Sequence, residues 1–210
     1  TFWHRERGIE TRTEIAVSRD DPVELRRVVV TNICQQRRAL SATSYAEIVL
    51  SPPATDSAHP AFSKLFVQTQ IDAALQTILA TRRPSTPADP TPWLFHTVLV
   101  SGSAAGILTF ETDRMRFIGR GRDADDPQAL DSGAALSGTT GPVLDAVAAI
   151  HVPFVLEAGA SITLDWLTGV ATTREACVAL ARKVRDARAT EQMLEQAGAF
   201  DLSSLRCGIS

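Results

Sequence analysis

The chain has 210 residues and a formal net charge of −3, with 44% hydrophobic residues and 21 Lys and Arg against 24 Asp and Glu. That length fits one domain, or one with a short appendage, and the apolar share suffices for a real core, which excludes wholesale disorder. No basic run marks a nucleic-acid track or polybasic anchor, no segment is apolar for long enough to span a bilayer, and no signal peptide opens the chain.

The chain enters at Thr1 on charged, strand-like sequence, as an excised piece of a longer protein would. Strands are predicted over 11–18, with Ile15 and Val17 on one face, and over 23–32, joined by the turn residues Arg19-Asp20-Asp21-Pro22. A further strand over 41–50 stops at Ser51-Pro52-Pro53, because proline cannot donate to a ladder, and 51–63 reads as a loop. Ile71, Ala74, Leu75, Ile78 and Leu79 fall at helical spacing over 70–80, while 79–83 suits an edge strand equally well. Periodicity leaves both readings open. After a proline-rich loop over 84–92, strands are predicted over 96–100, 106–110 and 114–118. The segment 119–142 is polar, acidic and glycine-bearing, and loops of that length are usually functional or disordered. Val152, Phe154 and Leu156 alternate, as do Ile162, Leu164, Trp166 and Val170, with Ser161, Thr163 and Asp165 turned to water. The connection 157–160 reads as the turn of a β-hairpin. Thr172 and Glu175 then have capping-box spacing ahead of Ala176, Leu180 and Val184, and a second helical piece centres on 191–197. The expected fold is all-β, an antiparallel sandwich over 1–171 with a short helical appendage over 172–210.

Cys34, Cys177 and Cys207 form no C-x-x-C pair and are odd in number, which fits a reducing compartment rather than a disulfide framework. His4, His59, His96 and His151 are scattered, so no metal site is predicted. Ser137-Gly138-Thr139-Thr140-Gly141 has glycine amides that suit an anion, but it lacks the lysine of a phosphate loop, and a plain turn is the simpler reading. Asp123, Asp125 and Asp126 lack the glycine and distal glutamate of a calcium loop. Glu47, Glu111, Asp113, Glu157 and Asp165 qualify as catalytic carboxylates by type alone, and carboxylates on strand faces are ordinary. Among the tryptophans, Trp166 belongs to the core, whereas Trp93, at a loop–strand junction, is the candidate for stacking on a sugar. His59 reads as a turn residue, and Tyr45 as a hydroxyl with a partner.

Several blocks occur together in a fixed order. Gly8-Ile9-Glu10-Thr11-Arg12-Thr13-Glu14-Ile15, Val23-Glu24-Leu25-Arg26-Arg27 and Thr43-Ser44-Tyr45-Ala46-Glu47 come first. They precede His59-Pro60-Ala61-Phe62-Ser63-Lys64-Leu65-Phe66-Val67-Gln68-Thr69 and Glu111-Thr112-Asp113-Arg114. Phe117-Ile118-Gly119-Arg120-Gly121-Arg122 and Leu136-Ser137-Gly138-Thr139 follow. The series resembles the β-sandwich region of cyclic β-1,2-glucan synthases and, more distantly, the cellobiose and chitobiose phosphorylases of glycoside hydrolase family 94.

The resemblance implies a galactose-mutarotase-like supersandwich that precedes an (α/α)6 barrel, with the chain starting late enough that N-terminal strands of the sandwich are expected to be missing from 1–171. In that family a barrel aspartate is the general acid and inorganic phosphate the nucleophile, so phosphate is implied for the full enzyme and no cofactor for this chain. The family enters its barrel about where 205–210 lies, so no catalytic residue carries over and the chain by itself is expected to do no chemistry. Arg120 and Arg122 become the candidate contacts to an active site, since arginine suits phosphate and sugar hydroxyls, against the plainer reading of salt-bridged loop arginines. The implied partners are a β-glucan or oligosaccharide, the barrel domain and a second copy in a homodimer, with no nucleic acid and no direct membrane insertion. The implied location is the cytoplasm, as part of an inner-membrane protein. The alternatives are a free-standing carbohydrate-binding domain, or an aldose-epimerase-like enzyme, which needs a converging acid and base.

Overall fold

The computed structural model describes residues 1–200 apart from 85, 87, 88, 90 and 132–134. Among the described residues, ten strands form two antiparallel sheets. The large sheet has seven strands in the order β1 (Phe2–Glu6), β2 (Ile9–Val17), β3 (Val23–Asn32), β10 (Ser161–Ala171), β7 (Trp93–Gly102), β6 (Thr77–Arg82) and β5 (Val67–Asp72). The small sheet has β4 (Arg38–Glu47), β9 (Ala146–Leu156) and β8 (Thr109–Asp113). Tight turns set the register. Arg7 and Gly8, with φ of 48° and 77°, close the β1–β2 hairpin in the left-handed conformation that two-residue loops favour. Glycine is required there, because a Cβ at Gly8 would meet Cys34 Sγ at 1.9 Å.

The main core lies between the sheets. Alternate residues of β10 (Ile162, Leu164 and Trp166) meet alternate residues of β9, from Ala148 through Ile150 and Val152 to Phe154. This is the register expected of Trp166, which is 7% exposed. The outer faces are covered as well. Helices α4 (Arg174–Lys183) and α5 (Ala187–Phe200) lie over the large sheet, where Cys177, Ala181, Val184 and Met193 pack on Leu25, Phe95 and Leu167. Helix α3 (Arg114–Ile118) and the loop after it lie over the small sheet, where Phe117, Ile118 and Leu136 pack on Val147 and Ala149.

These covers explain where the local reading fails. Strand β10 has both faces buried, so Asp165 sits under α5 at 6% exposure instead of facing water. The runs before and after 157–160 belong to different sheets, so this connection is an arch between sheets and not a hairpin. Buried Asn32 fixes the arch, because its Nδ2 donates to the Leu156 and Glu157 carbonyls at 3.1 Å each and to Gln36 O at 2.8 Å. The segment 70–80 is the β5–β6 hairpin; Ile71 and Ile78 pair across it, and the run Thr77–Ala80 is buried on both faces. The strand expected over 114–118 is α3, because the Asp113 carboxylate accepts from Met115 N at 2.9 Å as a cap and Gly119, with φ of 89°, stops the turn. Two short helices, α1 (Pro53–Ala58) and α2 (Pro60–Lys64), occupy the loop after β4, and His59 joins them. The cap of α4 is Thr173 rather than Thr172, accepting from Ala176 N at 3.1 Å. Cys207 and the remainder of 201–210 lie outside the described residues.

Candidate functional site

Parts of four blocks that carry the resemblance, Tyr45, Glu111, Phe117 and Leu136 among their residues, meet on the outer side of the small sheet, whereas 8–15 and 23–27 lie on the large sheet. Tyr45 on β4 packs its ring on Phe117 of α3, with centroids 4.7 Å apart, and its hydroxyl donates to Glu47 at 3.2 Å. Arg114 Nε reaches Glu47 at 3.0 Å, and Lys64 at the end of α2 reaches Asp145 at 3.0 Å. Burial would raise the Glu47 carboxyl, but hydrogen bonds from Arg114 and Tyr45 outweigh it and hold the group below its ordinary value. Burial is also the main reason why the Tyr45 hydroxyl titrates high. On the same side, the buried Glu111 accepts from the amides of Thr112 and Asp113 at 2.9 and 3.0 Å and from the Ser137 hydroxyl. With these donors around it, Glu111 locks the bulge in β8.

From this base the loop after α3 projects. Phe117 and Ile118, each 4% exposed, root it in the core, and Gly119 and Gly121 adopt φ of 89° and 76° on either side of Arg120. A side chain at position 119 would collide with Gln128. Arg120 is exposed and has no hydrogen bond or ion pair among the described residues. Arg122 pairs with Asp131 at 2.8 Å, and that hydrogen bond raises its pKa. In the neighbouring acidic run, Asp123 Oδ1 closes a turn by accepting from the amides of Asp125 and Asp126 at 3.0 and 3.2 Å. The glycine amides of 137–141 are engaged too: Gly138 N–H donates to Phe110 O at 2.8 Å and Gly141 N–H to Thr69 O at 2.9 Å. The segment is a docked turn, not an anion cradle.

Trp93 lies elsewhere. It begins β7 on the outer face of the large sheet, half-buried against the α4 cluster, with the Arg174 guanidinium 5.9 Å from its ring. It is therefore not brought together with Arg120 and Arg122, which sit outside the other sheet. Sequence reading missed two features. His96 faces the inter-sheet core, with Nδ1 at 2.8 Å from Thr168 Oγ1 and Nε2 at 2.9 Å from Ser44 Oγ; burial pushes it down to about 4. Both ring nitrogens are thus held by hydroxyls inside the core. The other is the buried Arg27, which grips Asp165 with two hydrogen bonds, at 2.7 and 2.8 Å, and reaches Glu191 on α5 at 2.6 Å. Among the described residues no three His, Cys, Asp or Glu are grouped so as to hold a metal ion, and no helix is long and apolar enough to cross a membrane.

The two unequal antiparallel sheets, with helices over their outer faces, make the chain a β-supersandwich domain. Residues 1–187 match the family described as glycosyl hydrolase 94, supersandwich domain, and the chain belongs to that family. Among curated relatives, it is 35% identical over 167 residues to the cyclic β-(1,2)-glucan synthase NdvB of Rhizobium meliloti (strain 1021), covering 80% of this chain and 6% of that protein. It is 26% identical over 177 residues to solabiose phosphorylase of Paenibacillus borealis, covering 84% of this chain and 22% of that protein. The chain thus spans well under a quarter of the first and under a quarter of the second. A polysaccharide lyase of known structure aligns with a TM-score of 0.48 and 13% identity over 85% of this chain and 22% of the lyase.

Proposed function

We propose that this chain is the non-catalytic sandwich of a larger cyclic β-1,2-glucan synthase or glycoside phosphorylase, and that it presents the Arg120–Arg122 loop toward the substrate of the catalytic domain. The observation that carries this reading is the way Arg120 is offered: a free guanidinium on a short glycine-flanked loop whose root is buried. Arginine held in such a loop contributes little to folding and can donate to phosphate or to sugar hydroxyls. Arg122, tethered to Asp131, stiffens the loop. The aldose-epimerase alternative needs a converging acid and base open to a sugar, and His96 lies 4% exposed between the sheets.

The test pairs two measurements on Arg120→Ala combined with Arg122→Ala. The melting temperature of this chain should stay unchanged, while the full-length enzyme should lose phosphorolysis or show a higher KM for phosphate or glycan. Unaltered kinetics reduce these arginines to ordinary surface charge. Release of glucose 1-phosphate from a β-linked glucan by this chain alone would overturn its non-catalytic assignment.

A further inference from the structure

The outer face of the large sheet carries two arginines in opposite circumstances. Arg27 is 9% exposed, and its Nε and Nη2 edge grips both oxygens of Asp165, hydrogen bonds that raise its pKa. Arg185, half-buried in the elbow between α4 and α5, has no carboxylate partner among the described residues. Its Nη1 donates to Leu75 O at 2.7 Å and to Thr97 Oγ1 at 2.9 Å, so the β5–β6 turn and β7 hold it in place. Burial pushes its pKa below the ordinary value. Nε and Nη2, the same edge with which Arg27 takes its carboxylate, have no partner among the described residues.

Arg185 lines a cavity of about 710 Å³ on this face, a size that suits a small molecule. The other cations in its wall are matched, Arg27 with Asp165 and Glu191, and Arg12 with Glu14 at 3.4 Å. Three further polar side chains of the lining make no hydrogen bond among the described residues: the Gln76 amide and the Ser101 and Thr163 hydroxyls. Ser101 and Thr163 are directly opposed on β7 and β10 and so share one face. Gln76 is exposed at the end of the β5–β6 turn, with φ of 47°. We propose that this cavity binds a small hydroxylated monocarboxylate, gripped side-on by Nε and Nη2 of Arg185. Arginine takes a carboxylate through two parallel N–H bonds, and one unmatched guanidinium calls for one negative charge. The amide and the two hydroxyls both donate and accept, as hydroxyl groups on the rest of the ligand require. A cation drawn out of water without a counter-charge is costly, and a bound carboxylate offsets that cost. The site lies on the large sheet, and it stands whether or not the Arg120 loop faces a substrate.

The experiment is calorimetric titration of this chain at low salt with D-glucuronate, with D-glucose as its uncharged counterpart and inorganic phosphate as a different anion. Saturable binding of glucuronate is expected, tighter than that of phosphate, with none for glucose. Arg185→Lys keeps the charge but loses the two-pronged edge, and should weaken glucuronate binding about tenfold. Because Arg185 also holds the β5–β6 turn, the second variant is Gln76→Gly, which suits the left-handed backbone at 76 and removes only an exposed amide. It should keep the melting temperature and weaken binding about threefold or more, an effect that a purely structural role would not give. No saturable binding of glucuronate up to about 10 mM overturns the site, as does equal or tighter binding of glucose or phosphate. Glucuronate binding that the folded variants retain in full places the ligand elsewhere and overturns it too.

Discussion

Asp165→Ala should loosen the C-terminal helices from the large sheet far more than removal of the other carboxylate on the same arginine. Asp165 is 6% exposed and accepts from Arg27 Nε at 2.7 Å and Nη2 at 2.8 Å. The remaining branch, Nη1, reaches Glu191 at 2.6 Å, and Nη2 also donates to Thr190 Oγ1 at 3.1 Å. Without Asp165, the guanidinium stays buried and keeps the Thr190 hydroxyl and a single carboxylate, Glu191, whose side chain is 59% exposed. Breaking a buried pair by removing one member costs about 3–5 kcal/mol, and the surviving Glu191 contact puts the expected loss near the low end, about 3 kcal/mol. For a chain of this size that is a fall of about 6–12 °C in melting temperature. Glu191→Ala removes an exposed partner and should cost under about 1 kcal/mol. Thermal and urea denaturation of both variants gives the comparison, and Arg27→Met with Asp165→Leu should regain most of the loss, since no charge is then left stranded. Equal losses in Asp165→Ala and Glu191→Ala would show that the clamp is not what ties α5 to the sheet.

Trp166→Ala should cost about 3–5 kcal/mol, as for other buried tryptophans, and an unchanged melting temperature would mean that its side chain does not fill the inter-sheet core. Stability should also depend on pH through His96, whose pKa burial pushes down from its ordinary value of 6.5 to about 4. The unfolded chain binds the proton more readily. The stabilisation is therefore complete above pH about 6.5 and falls as the pH drops toward 4, by roughly 3 kcal/mol in all. An NMR titration that finds the His96 imidazole protonating above pH about 6 would contradict this.

How far the sequence could be read depended on where each partner lies. Alternation within one strand was enough to place Ile162, Leu164 and Trp166 on the inner face, because that face is apolar along its whole length. The same alternation turned Asp165 to water, since nothing near it in the chain announces α5 or Arg27, which is 138 residues away. The connection 157–160 has the composition of a hairpin turn; what makes it an arch is Asn32, 124 residues from the Leu156 carbonyl it holds. Around α3, the signals were local and legible as Asp113 before and Gly119 after, but the apolar pattern of five residues suits a strand as well as a turn of helix.

The candidate sites divide in the same way. The Arg120 loop is a feature of consecutive residues, so its flanking glycines and its buried root at Phe117 and Ile118 can be read along the chain; Asp131, which pairs with Arg122, is only nine residues on. The inner-face row at Glu24 is built across β2, β3, β10 and β7, from residues separated by up to about 150 positions, and each strand contributes one side chain to it. None of them stands out in its own segment: Glu24 and Arg26 look like a solvated strand face, Thr168 like a filler, His96 like a stray histidine. Only the register makes them neighbours. Within the described residues the neighbouring row through Arg26 leaves the cover of the small sheet between Trp166, at 7% exposure, and Ile15, at 45%, and the residues there are free of the demand for apolar packing that governs the same face further in. On that argument, polar residues in otherwise core-facing positions of β3 and β10 mark the edge of the face that the small sheet covers among the described residues.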